Sequence, residues 1–177
     1  MAAPKDVKGR VMGNKRFLEQ LETWVPGFAG YKEKELRREA DKLLRMKLAG
    51  QLKEVDSKID AAYGDMVDSK MAAQYSAMNA ITALMDKIIG KVEMADYGYA
   101  GFFSAIKIKE DALDEVYEFD MALFKDANEM GKIVDGLASE ITDDSAGIPK
   151  TVKELKGAVN DFDKKFDQRK DVLLRLE

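Results

Sequence analysis

From Met71 to Met85 the chain carries no charged residue, and around this run a single helical stripe is written. Within Val67–Val92, the residues Met71, Tyr75, Met78, Thr82, Met85, Ile89 and Val92 recur at steps of three and four, the spacing of one α-helical face. Ala72, Ala73, Ala77, Ala80 and Ala83 add small residues on the flanking faces. A helix apolar on most sides needs neighbours on most sides. The expectation is therefore the central helix of a bundle.

The same period continues on both sides. Leu36, Ala40, Leu43, Leu44, Leu48, Leu52, Val55, Ile59, Ala62, Tyr63 and Met66 predict a long helix opening at Lys32. Gly64-Asp65 is its weakest point, because glycine inside a helix costs about 1 kcal/mol relative to alanine. The expectation there is a kink or break, rather than one helix from Lys32 to Val92 of roughly 90 Å at 1.5 Å per residue. Asp111 to about Glu140 is predicted helical, with Leu113, Val116, Tyr117, Leu123, Phe124, Ala127, Met130, Val134 and Leu137 inward. Thr142–Gly147 reads as a loop. A last helix starts near Pro149, with Thr151 and Glu154 at capping-box spacing. Val152, Leu155, Val159, Phe162, Phe166, Arg169, Leu173 and Leu176 form its heptad seam, interrupted only by Arg169.

Ahead of these lie a mobile tail (1–13) and a short helix from Asn14 that Pro26 ends. Two turns, Pro26–Tyr31 and Tyr97–Phe103, interleave glycines with aromatics and are expected to meet at one end of the bundle. Ser104–Lys109 alternates too briefly to establish a sheet. The fold expected is all-α: an elongated helical bundle with long, coiled-coil-like helices, residues 14–177 forming one domain.

Composition restricts the chemistry more than it directs it. With no cysteine, disulfides, thiolate metal sites and thiol nucleophiles are excluded. With no histidine, a Ser-His-Asp triad, a zinc-protease helix motif and the Glu-x-x-His arrangement of di-iron bundles are excluded as well. No apolar run reaches the ~20 residues that span a bilayer, and residues 1–16 have no secretory apolar core. The expected location is cytoplasmic, and no cofactor is expected.

Charge is uneven. Residues 1–50 carry 12 Lys and Arg against 7 Asp and Glu, residues 51–145 carry 9 against 20, and residues 146–177 carry 8 against 6. The middle is too acidic for a nucleic-acid surface, and the basic beginning is interleaved with Glu19, Glu22, Glu33, Glu35 and Glu39, so no nucleic-acid partner is expected. No phosphate loop is present. Trp24, Phe28 and Tyr31, beside Lys15 and Arg16, are the candidate contact surface. The expected partner is another protein or a second copy, with peripheral membrane contact as a less favoured reading of the same mix. The methionines Met66, Met71, Met78, Met85, Met94, Met121 and Met130 are expected at core positions.

One acidic pattern suggests catalysis. Glu115-x-x-Glu118 and Glu140-x-x-Asp143 together resemble the ExxE…ExxD pattern of all-α nucleotide pyrophosphohydrolases of the MazG/dUTPase type. That resemblance implies Mg²⁺ held by Glu115, Glu118, Glu140 and Asp143, orienting a triphosphate and an attacking water. Its requirement is that the four carboxylates converge on one metal-sized site. Separately, FLEQLETWVPGFAGYKEKELRREADKLLR and YGYAGFFSAIKIKEDALDEVYEFD resemble segments of small, uncharacterised all-helical prokaryotic proteins. That likeness implies a soluble helical protein and assigns no residue a role. The favoured function is a non-catalytic scaffold or adaptor acting through helix–helix contact. The alternatives are the Mg²⁺-dependent hydrolase and a membrane-surface protein.

Overall fold

The computed structural model describes residues 34–95, 110–143 and 146–175, with side chains described over 42–95, 118–142 and 146–169. The tail, the Asn14 helix, both glycine–aromatic turns and Ser104–Lys109 lie outside the described residues. Four α-helices are described: α1 (Lys34–Asp68), α2 (Tyr75–Met94), α3 (Glu110–Asp143) and α4 (Ile148–Arg175). The fold is all-α.

Cross-helix contacts fix how the helices run. Lys53 meets Glu93 and Tyr63 meets Tyr75, so α1 and α2 are antiparallel. Thr151 meets Glu140 and Arg169 meets Asp120, so α3 and α4 are antiparallel too. Gln51 donates to the Phe124 carbonyl while Lys58 reaches Asp135, so α1 and α3 run parallel. Lys87 and Lys91 reach Asp163 and Asp167, so α2 and α4 also run parallel. Two antiparallel hairpins therefore lie side by side, in the ring order α1, α2, α4, α3, with both short turns at one end.

Each helix contributes one seam to a single shared core. Leu48, Leu52, Val55, Ile59, Ala62 and Met66 come from α1, and Met78, Ile81, Met85, Ile88 and Val92 from α2. Leu123, Ala127, Met130, Val134 and Leu137 come from α3, and Val152, Leu155, Val159, Phe162 and Phe166 from α4. These steps alternate between three and four, which keeps one stripe of each helix facing its neighbours. Among the methionines, Met66, Met78, Met85 and Met130 are fully buried, Met71 and Met121 partly buried, and Met94 exposed.

The charge-free run is not a surrounded central helix. It forms one corner of the ring, and Ala72, Ala73, Ala80 and Ala83 face solvent. Alanine favours the helix without needing burial, so counting alanines as core overstated the apolar girth of α2.

The break also falls later than Gly64. Gly64 is exposed and sits inside a continuous α1. Burying Met66 completely contributes about 2 kcal/mol, which outweighs the glycine penalty of about 1 kcal/mol. The helix ends instead at Asp68, stopped by Lys70, whose φ is +58°. The Lys70 amide donates to the Val67 carbonyl and the Met71 amide to the Met66 carbonyl, a Schellman termination with lysine where glycine is usual. Tyr75 closes the same end, its hydroxyl donating to the Met66 and Val67 carbonyls. A 3-10 turn at Ala72–Gln74 then starts α2.

The other turn corrects the capping-box expectation. Gly147 caps α4, accepting from the Lys150 and Thr151 amides. Thr151 is already in the helix, and its hydroxyl donates to Glu140 Oε1 at 2.9 Å. A Cβ on Gly147 would lie 2.8 Å from that same oxygen, so glycine is what lets the Glu140 carboxylate sit over the start of α4. Negative charge there is favoured by the helix dipole. Thr142 and Asp143, expected in the loop, belong to α3.

Candidate interaction surface and buried polar layer

The four carboxylates of the hydrolase pattern all stand on α3. Between Glu118 and Glu140 a continuous helix rises 1.5 Å per residue, which separates them by about 33 Å. Glu115 therefore stands near Glu118, and Asp143 near Glu140, at opposite ends of one rod. Glu118 is exposed, and Glu140 is committed to Thr151. The side chains of Glu115 and Asp143 lie outside the described residues. Among the described residues, no group of three acidic side chains is placed to hold a metal ion.

Arg169, the one break in the α4 seam, has its reason in α3. Its Nε and Nη2 donate to the two Asp120 oxygens at 2.7 and 2.9 Å, a forked pair with both side chains buried. Arg45 of α1, 4% exposed, lines the same small cavity with Leu44, Phe124 and Phe166. All three charged residues occupy seam positions: Arg45 precedes Leu48, Asp120 precedes Leu123, and Arg169 follows Phe166. The signal for Asp120 and Arg45 was present as three/four spacing, but their charge masked it.

The outer edges of the bundle pair opposite charges. Lys58 with Asp135 joins α1 to α3, and Lys165 with Asp126 joins α3 to α4. Lys91 bridges Asp163 and Asp167 from α2 to α4. Burial alone would lower the Lys91 ammonium and raise the Asp163 carboxyl. Their mutual hydrogen bonds outweigh it, holding Lys91 above and Asp163 below their ordinary ranges. The α1–α2 edge has one such pair, Lys53 with Glu93, and differs further along. Asp56 is raised to about 6, by burial first and then by Asp60 and Asp86. Its Oδ1 and the Thr82 hydroxyl are buried without a hydrogen-bond partner.

At the end opposite the turns, α2 stops at Met94, level with the middle of α1, as the Lys53–Glu93 pair shows. The preceding stretch of α1 runs on past it. Leu43 is 40% exposed there and Met46 61%, and Met94 is 70% exposed at the step. Three/four spacing places Leu43 inward, but Leu44 and Arg45 take the buried positions. Trp24, Phe28 and Tyr31, the surface expected from sequence, lie outside the described residues. An open, mostly apolar cleft of about 350 Å³ lies between the two turns, bounded by Met71, Ala73, Ile148 and Pro149, with Lys70 and Gln74 as polar lining. Among the described residues no helix is long and apolar enough to cross a membrane. Comparison with known proteins returns no matching family model, no matching curated protein and no matching solved structure.

Proposed function

We propose that this chain is a non-catalytic helical scaffold that works by helix–helix contact, with a second copy of itself as the partner. The observation that carries the reading is the exposed apolar group Leu43, Met46 and Met94, gathered where α1 outruns α2. Single exposed apolar residues need no explanation, whereas three large ones at one end of the described bundle suit a contact surface. The lysines beside it, Lys42 and Lys47, are exposed and keep the face in water until it is covered.

The test is light scattering across a wide concentration range on the full chain and on a Met46→Glu/Met94→Glu variant. Association of the parent, lost in the variant with helical content intact, is the expected result. A parent that stays monomeric throughout, with a variant indistinguishable from it, overturns self-association.

A further inference from the structure

Of the seven α1 seam positions from Arg45 to Met66, six are apolar, and one apolar heptad can stand in for the next. Sliding one hairpin past the other by one heptad would still place apolar residues against apolar residues. The short turns fix α1 against α2 and α3 against α4. Nothing so short fixes the first hairpin against the second, because residues 95–109 separate α2 from α3 in sequence. A slip of one heptad moves a helix only about 10 Å.

We propose that the buried layer of Arg45, Asp120 and Arg169 is a register lock that selects one alignment of the two hairpins. In the observed alignment Arg45 lies beside the Asp120–Arg169 fork. A slip in one direction brings Leu52 to that fork. A slip in the other carries Arg45 into the level of Ala127 and Phe162, which are fully buried and apolar. The second puts the Arg45 charge against hydrocarbon, the arrangement proteins avoid most strongly; the first replaces Arg45 with leucine beside a fork that stays paired within its own hairpin, and so gives up the polar neighbour that the observed register supplies. The layer discriminates between registers rather than holding the fold together, since buried ion pairs replaced by packed apolar residues often leave stability unchanged or raised. The Lys58–Asp135 pair agrees with the observed register but is solvated and discriminates weakly, whereas the part-buried Lys91–Asp163 pair supports the same register from the α2–α4 side.

The chain contains no cysteine, so introduced pairs report alone. Lys58→Cys with Asp135→Cys reports the observed register, because those side chains touch. Lys58→Cys with Thr142→Cys reports a slip of one heptad one way, and Asp65→Cys with Asp135→Cys a slip the other way; all four positions are exposed. Each pair is placed in the parent and in an Arg45→Leu/Asp120→Leu/Arg169→Leu background, and intramolecular cross-linking by a short bis-maleimide is measured beside circular dichroism and the thermal midpoint. The expected result is cross-linking of the first pair alone in the parent. In the leucine background, helical content and midpoint are retained and a slipped pair cross-links as well. Cross-linking of the first pair alone in both backgrounds overturns the proposal. Loss of the fold in the leucine background overturns it too, because the layer would then be a stability element.

Discussion

Asp56→Asn should stabilise this protein near neutral pH and lose that advantage in acid. Asp56 lies on the α1–α2 edge with one carboxyl oxygen buried and unpartnered. The charged groups acting on it are carboxylates, Asp60 on its own helix and Asp86 on α2. The neighbouring lysines are engaged elsewhere: Lys53 with Glu93, Lys58 with Asp135 and Lys87 with Asp163. The folded protein therefore holds the Asp56 proton up to about pH 6, against 3.8 for an ordinary aspartate. Taken at full weight that difference is about 3 kcal/mol. Asp56 is only partly buried, and solvent screening reduces the figure to about 1 kcal/mol.

The sign follows from proton binding. Between pH 3.8 and about 6 the folded state binds more protons at Asp56 than the unfolded state does. Stability from this group is therefore fully present below 3.8 and is lost as pH rises through about 6. Asparagine carries no charge at any pH, so the variant gains where the wild type has lost. Thermal melts of both proteins near neutral pH should differ by about 3 °C. The difference should shrink below about pH 5 and nearly vanish at about pH 4. A gain of equal size at both ends, or a loss near neutral pH, would refute the reasoning: the Asp56 carboxylate would then be well solvated or already paired.

Lys70→Gly should raise stability by about 1 kcal/mol, because glycine adopts the positive φ of the α1 terminus without a Cβ penalty; an unchanged urea midpoint would argue against that geometry. Asp120→Ala should cost about 3–5 kcal/mol by stranding the buried Arg169 guanidinium, read by chemical denaturation, whereas Asp161→Ala on the exposed face of α4 should cost under about 0.5 kcal/mol. Mg²⁺ with nucleoside triphosphates should leave the thermal midpoint in place. A ligand at ~100 times its dissociation constant would add about 2.7 kcal/mol, so a shift requiring both would return attention to the α3 carboxylates.

Three/four spacing was legible because a helix repeats its faces regardless of what covers them. It located all four described helices, and even the anomaly at Arg169 was visible as a charge in an apolar seam. What spacing cannot supply is the identity of the neighbour. Asp120 and Arg45 stand at equally regular seam positions, but a charge at such a position reads as solvent-facing until a partner is brought to it. Alanine acts in the opposite sense, since it suits the outside of a helix as well as the inside, so its count overstates the neighbours that α2 has among the described helices.

Sequence by itself determined the helices, their inward stripes and, through the absence of histidine and cysteine, a wide set of excluded chemistries. Those are local or compositional properties, fixed by backbone hydrogen bonding and side-chain inventory. Tertiary structure alone decided that α1 runs through Gly64 to Asp68, because burying Met66 outweighs a local glycine cost. It decided that Glu140 serves the start of α4 rather than joining Glu118, because both ride one rigid helix. It decided that Arg169 finds Asp120, since a buried charge is tolerated only where the folded chain delivers its partner.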